Sequence, residues 1–147
     1  MEKLNIFLEK LASPFFNIAH WILRLGLGIS FFLHGFGKLP ISPGFVQWLG
    51  SKGVFAPQVF APLIAWGEIL AGLGIILGGI LVSTNTLGNI ITRISGGAVG
   101  VIMISAIFIA HSDWAIFIGE RGQVLFASEQ IFLLLLGLYF AIRGNEV

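Results

Sequence analysis

His34, Glu68, His111 and Glu129 are ionisable side chains in largely apolar surroundings, each close to one end of an apolar run. Imidazoles and carboxylates together can move protons, hold the polar end of a ligand or bind a metal ion. A charged group in hydrocarbon costs ~2.5–3.5 kcal/mol on insertion scales, so it persists where it faces a bundle interior or water and finds a partner. Two cations, Arg24 and Lys38, lie in and just beyond the first apolar run. Arg24 precedes His34 by ten residues, which along a helix is ~15 Å of depth. Glu68 follows Pro62 by six residues, ~9 Å below the same membrane face. The remaining difference of ~6 Å predicts an Arg24–Glu68 ion pair. The competing reading makes Glu68 a proton-exchanging or ligand-anchoring carboxylate.

Metal binding is disfavoured by the spacing, because the chain lacks the Glu-x-x-His pattern of di-metal helical bundles. A polar ligand headgroup, a proton site and a set of separate structural hydrogen bonds all remain compatible with the four residues. The chain has no cysteine, which removes disulfides, thiolate metal sites and a thiol relay. Electrons for any redox chemistry would then come from a bound cofactor or a partner.

The elements that must position these groups are transmembrane helices. Hydrophobic residues make up 56% of the 147 residues and charged residues only 10%. Four spans of ~20 apolar residues each would use about that much apolar sequence. Such a composition excludes a disordered chain and an ordinary soluble domain. A net charge of +1 excludes an electrostatic nucleic-acid binder. The fold predicted is all-α: one integral membrane domain over 1–147, a four-helix bundle preceded by a short amphipathic helix. Residues 2–12 give that short helix, with Leu4, Phe7, Leu8 and Leu11 at helical spacing, suited to the headgroup region. Spans are expected at 15–36, 57–81, 87–110 and 124–142. Ser13 is the expected N-cap of the first, and Pro14 its first helical residue. Residues 35–44 read as a loop, 45–52 as interfacial, 82–86 as a short polar turn and 111–123 as a second loop.

Helical phase assigns the faces. Glu68 shares one with Ala71, Gly72, Ile75 and Gly79. Arg93, Gly97, Gly100 and His111 fall on one stripe of the third span, and Ser30, His34 and Lys38 form an i, i+4, i+8 row on the first. Small residues permit close helix approach, so Gly72, Gly97 and Gly100 are expected at helix contacts. Gly72-x-Gly74-x-x-x-Gly78 likewise reads as a packing surface, since it lacks the strand–turn–helix setting of a dinucleotide site. Lys3, Lys10, Arg93 and Arg143 against Lys38, Lys52 and Arg121 place both termini in the cytoplasm by four to three.

Arg24, then FFLHGFGKL (31–39), WGEILAGLGIILG (66–78) and TRISGGAVG (92–100), in that order and spacing, resemble the DoxX family of small four-helix membrane proteins. The positions that match are Arg24, His34, Gly35, Lys38, Glu68 and Arg93. The resemblance implies a bundle in a bacterial-type plasma membrane and an association with respiratory redox chemistry. Family relatives include a subunit of thiosulfate:quinone oxidoreductase and proteins grouped with quinol oxidases. The function expected is therefore that of a redox-associated membrane subunit interacting with quinone or quinol. His34 or His111 would hydrogen-bond a quinone carbonyl, Glu68 would exchange its proton, and Arg24 would hold the Glu68 charge. Membrane lipid and a protein partner, or a second copy, are the partners expected. Two other readings stay open: an accessory subunit packing against a larger complex, and a small transporter or proton channel.

Overall fold

The computed structural model describes residues 1–81 and 86–146, apart from the Asn17 side chain. Among these residues six α-helices follow one another: α1 (Glu2–Ala12), α2 (Phe16–Phe36), α3 (Pro43–Ser51), α4 (Pro57–Ile80), α5 (Thr86–Ala110) and α6 (Glu129–Arg143). Single 3₁₀ turns at Ser13–Phe15 and Leu125–Ala127 lead into α2 and α6. The stretches Ile18–Phe36, Pro57–Ile80 and Thr86–Ala110 are long and apolar enough to cross a membrane. Residues 82–85 of the expected polar turn lie outside the described residues.

Glycines on α4 set how the long helices pack. A methyl group at Gly72 would sit 2.6 Å from the Phe32 amide nitrogen, so α2 lies backbone to backbone against this face. Toward α5, a methyl at Gly78 would sit 2.9 Å from both the Gly88 carbonyl and the Thr92 amide nitrogen. The glycine run is thus a packing surface, but a two-sided one: Gly72 serves α2, and Gly74 and Gly78 serve α5. Helix α5 meets α6 the same way, through Gly96 against Gly137 and Ala141. Leu27, Phe31, Ala71, Ile75, Val99, Met103, Leu133 and Phe140 fill the space enclosed. Helix α6 closes the ring against α2, with the Phe140 and His20 rings 5.2 Å apart.

Four expectations are corrected. Ser13 is not an N-cap: its backbone is helical and its hydroxyl donates to the Lys10 carbonyl, so α1 runs into α2 through the 3₁₀ turn. The fourth helix begins at Glu129 rather than 124, because Val124 and Ser128 are extended on either side of the second 3₁₀ turn. Its 15 residues reach only ~22 Å, short of the ~30 Å hydrocarbon core. Residues 42–44 are not loop: Ser42 accepts the Phe45 amide as a true N-cap, with Pro43 in the first turn of α3. Finally, Gly97 has nothing within 4 Å of where a methyl would stand. The contact glycine is its neighbour Gly96, one residue or 100° round the helix, while Gly100 keeps an ordinary 3.5 Å contact with Leu138.

The packing separates three substitutions. Gly72→Leu and Gly96→Leu should each destabilise the bundle by ~1–3 kcal/mol or more, because backbone must move to admit the side chain. Gly97→Leu should stay within ~0.5 kcal/mol. Equilibrium unfolding in mild detergent measures all three.

Candidate functional site

The chain builds two polar centres at opposite ends of the bundle. The first begins with Gly35. A methyl there would lie 2.8 Å from the Ile69 nitrogen and 2.9 Å from Glu68 Cβ, so only glycine lets the end of α2 rest on α4 at this level. The chain then leaves α2, and Lys38 swings back over the helix end. Its ammonium donates to the His34 carbonyl at 3.1 Å and to Glu68 Oε2 at 2.6 Å. One cation thus serves the negative end of the α2 dipole and the carboxylate of α4. The Glu68 side chain is 4% exposed, so this is a desolvated, charge-assisted pair.

Lys38, not Arg24, is therefore the partner of Glu68. The expected Arg24–Glu68 pair fails because it sets Pro62 level with His34, whereas α4 overshoots the end of α2 and brings Glu68 level with Gly35. Gly35 faces Ala65–Ile69, and Arg24 faces Gly79, where a methyl would lie 2.6 Å from Arg24 Cδ. Eleven residues of α4, ~16 Å, separate Glu68 from that level.

His34 and Glu129 extend the first centre toward water. His34 Nδ1 sits 2.8 Å from the Ser30 carbonyl, which can only accept, so Nδ1 carries a proton. Its Nε2 faces Glu129 Oε1 at 3.2 Å. A bare imidazole nitrogen and a carboxylate are both acceptors, so this contact holds one further proton, on the imidazole or on the carboxyl. Glu129 is 60% exposed and can exchange that proton with solvent.

These residues edge a cavity of about 510 Å³, within the usual range for a small-molecule site. His34, Lys38, Glu68 and His111 line it together with Gln130. The rest of the wall is mostly apolar, from α3 (Phe45, Trp48, Leu49), α4 (Phe60, Leu63, Ile64), α5 (Ile102, Met103) and α6 (Leu133). His111 follows the last turn of α5, its ring 3.9 Å from that of Trp114. Its Nδ1 is buried and finds no hydrogen-bond partner among the described residues. Burial pushes this imidazole below its ordinary value of 6.5; Asp113 opposes the shift and Lys52 adds to it. Among the described residues, no three of His, Asp or Glu converge as a metal ion would need.

The second centre surrounds Arg24, 1% exposed. Its guanidinium donates to the Ile75 carbonyl, to Thr92 Oγ1 at 3.1 Å, to Asn145 Oδ1 at 2.7 Å and to His20 Nε2 at 3.0 Å. Accepting there fixes His20 as a neutral imidazole with its proton on Nδ1. Asn145 also donates to the Gly78 carbonyl and accepts from Thr92, so the C-terminal segment is tied to α2, α4 and α5. Arg93 donates to the Ile142 carbonyl at 2.6 Å, at the negative end of α6. Five of the six expected polar residues thus line or adjoin one cavity, and Arg24 alone belongs elsewhere. Gln130, Thr92 and Asn145 were not expected; the His20–Arg24 spacing of four was the one sequence signal for the second centre.

The family model described as DoxX matches residues 19–112, and the chain belongs to the DoxX family. A protein of Bacillus subtilis (strain 168) named "Putative oxidoreductase CatD" is 35% identical over 83 residues, covering 52% of this chain and 60% of that relative. The chain thus spans less than two thirds of that relative's length. No solved structure matches.

Two measurements check this geometry. Glu68→Leu or Lys38→Leu alone should cost ~3–5 kcal/mol by stranding a buried charge, and the double variant should recover much of it. Arg24→Leu and Glu68→Leu should instead add within ~0.5 kcal/mol, as sites with no shared partner do. Double-mutant cycles by detergent unfolding give both couplings. The second measurement is pH dependence. Because the folded His111 binds its proton less readily than the unfolded one, its contribution to stability is present above about 6.5 and lost as pH falls below it. His111→Asn should remove that part of the acid sensitivity.

Proposed function

We propose that this DoxX-family membrane protein binds the ring of a quinone or quinol in the cavity and takes part in redox chemistry whose electrons come from a protein partner. The observation that carries this reading is a largely apolar cavity whose lining includes a cation, a carboxylate and two imidazoles. A quinone ring asks for that division: flat apolar faces and two oxygens that accept hydrogen bonds. The name of the Bacillus subtilis relative, an oxidoreductase, is consistent with it.

Reduction of a quinone consumes two electrons and two protons. As negative charge develops on a ring oxygen, the Lys38 ammonium stabilises it while Glu68 keeps the lysine fixed and charged. A group aimed at developing charge in a dry site lowers the barrier without reorganising. His34, beside Lys38 and joined to the exposed Glu129, delivers protons from the loop-side water. His111, which lines the same cavity, is the hydrogen-bonding group for the second ring oxygen. Oxidation of a quinol runs the same steps backward, with His34 accepting. The setting we infer is a bacterial-type plasma membrane with both termini cytoplasmic, which the lysine and arginine distribution favours.

Titration calorimetry of the detergent-solubilised protein with a tail-less dimethoxybenzoquinone tests this. Saturable binding is expected, weakened at least tenfold by the Lys38→Leu/Glu68→Leu double variant and by His111→Phe. Leu135→Ala, on an exposed face of α6, should leave it unchanged. Absence of saturable binding to the unaltered protein would refute the proposal.

A further inference from the structure

We infer that the cavity opens sideways into the bilayer through a slot between α4 and α5, and that its ligand is a membrane-dissolved ring whose hydrocarbon tail lies in that slot. The inference rests on the quinone reading and narrows the ligand class.

The walls of the cavity are unevenly exposed. On the α3 and α6 sides, Leu49 is 2% and Leu133 7% exposed. On the facing edges of α4 and α5, Leu63 is 59% and Val101 66% exposed, although both line the same cavity. A residue that lines a cavity and is more than half exposed stands at its rim. Both residues lie inside stretches long and apolar enough to cross a membrane, Pro57–Ile80 and Thr86–Ala110, and each lies at least six residues from its helix's loop-side end.

The packing of α4 on α5 explains why they part there. Toward the termini they touch backbone to backbone at Gly78 and Gly88. Higher up, the contact at Gly74 is with the Ser95 side chain. At Gly67 only the tip of Ile102 comes near, at 3.3 Å. Beyond Gly67, toward the loop end, come the cavity-lining residues Leu63 and Phe60. The rim is chemically suited to a tail. Its single hydroxyl, on Ser105, donates to the Val101 carbonyl at 2.8 Å and so is already satisfied. Polar partners wait only deeper in, at Lys38 and Glu68. A ring at those groups with its tail between Leu63 and Val101 leaves no polar atom in lipid and no apolar chain in water.

The test compares two ligands on one pair of substitutions. Leu63→Trp with Val101→Trp fills the slot from surfaces that already face lipid. Calorimetry with a decyl-tailed dimethoxybenzoquinone should show affinity at least tenfold below that of the unaltered protein. The tail-less ring should bind within twofold of it. Equal affinity of variant and unaltered protein for the tailed ligand would overturn the inference, since the tail would lie elsewhere. Equal loss for both ligands would overturn it too, by placing the slot inside the ring site. Loss of co-purifying phospholipid with the tailed ligand unaffected would assign the slot to a lipid acyl chain instead. Failure of the tail-less ring to bind the unaltered protein is a different result, and it strikes the quinone reading itself.

Discussion

Close approach of α4 to its two neighbours is the constraint from which both polar centres follow. In lipid no hydrophobic force draws helices together, so packing has to supply the attraction, and packing is best where side chains are absent. Gly72 and Gly78 let α4 touch α2 on one side and α5 on the other. Once those backbones touch, the register between helices has no slack. Gly35 must then rest against Glu68, and Arg24 must lie across Gly79. Lys38 reaches a carboxylate and Arg24 reaches Ile75, Thr92 and Asn145 because of where glycines fall along a different helix.

The bundle handles the buried Arg24 and the half-buried Lys38 by different means. Lys38 has an ionised partner and stands at a helix C-terminus, so its charge is matched locally. Arg24 has no carboxylate partner among the described residues. Four neutral acceptors and the Phe140 ring, 4.8 Å from its Cζ, spread its charge instead. A delocalised guanidinium with five donors tolerates that arrangement, and a compact ammonium would not. The difference suits what each centre does. Arg24 joins four segments of chain through fixed hydrogen bonds. Lys38 faces open volume, where a charge can respond to a ligand.

Much of this was legible in the sequence, and the failures share a cause. The all-α membrane fold, the amphipathic α1 and the small-residue face around Glu68 came from composition and helical phase, and the placing of His34, Glu68, His111 and Glu129 toward one end from the ends of the apolar runs. Phase depends only on a helix's own residues. Depth between helices depends on where each one starts, and there sequence reasoning slipped. Setting Pro62 level with His34 moves Glu68 toward Arg24 and hides Lys38 as its partner, because α4 runs past the end of α2. Gly97 was chosen over Gly96 because a stripe drawn through Arg93 and His111 is straight, whereas the contact with α6 is made by adjacent positions. The shortness of α6 was hidden by apolar residues 124–127, which read as helix but form a 3₁₀ turn between extended residues. Asn145, in a tail that looked featureless, gave no signal; its role exists only once three helices present Arg24, Thr92 and the Gly78 carbonyl together.

The separation of the two centres bears on how such a small protein can be both rigid and reactive. Stability in the bundle is concentrated where glycine contacts and the Arg24 network coincide, near the termini. Toward the loops Gly35 still seats α2 on α4, but the glycine contacts between α4 and α5 thin out and α6 begins late. Space for a ligand is the direct result: the cavity occupies the end from which close packing has been withdrawn. The polar groups at that end have the exposed Glu129 carboxylate beside them and the exposed Leu63 at the rim of their cavity. Placed at the Arg24 end, the same groups would be held as Arg24 is, buried and tied by hydrogen bonds to four segments of chain.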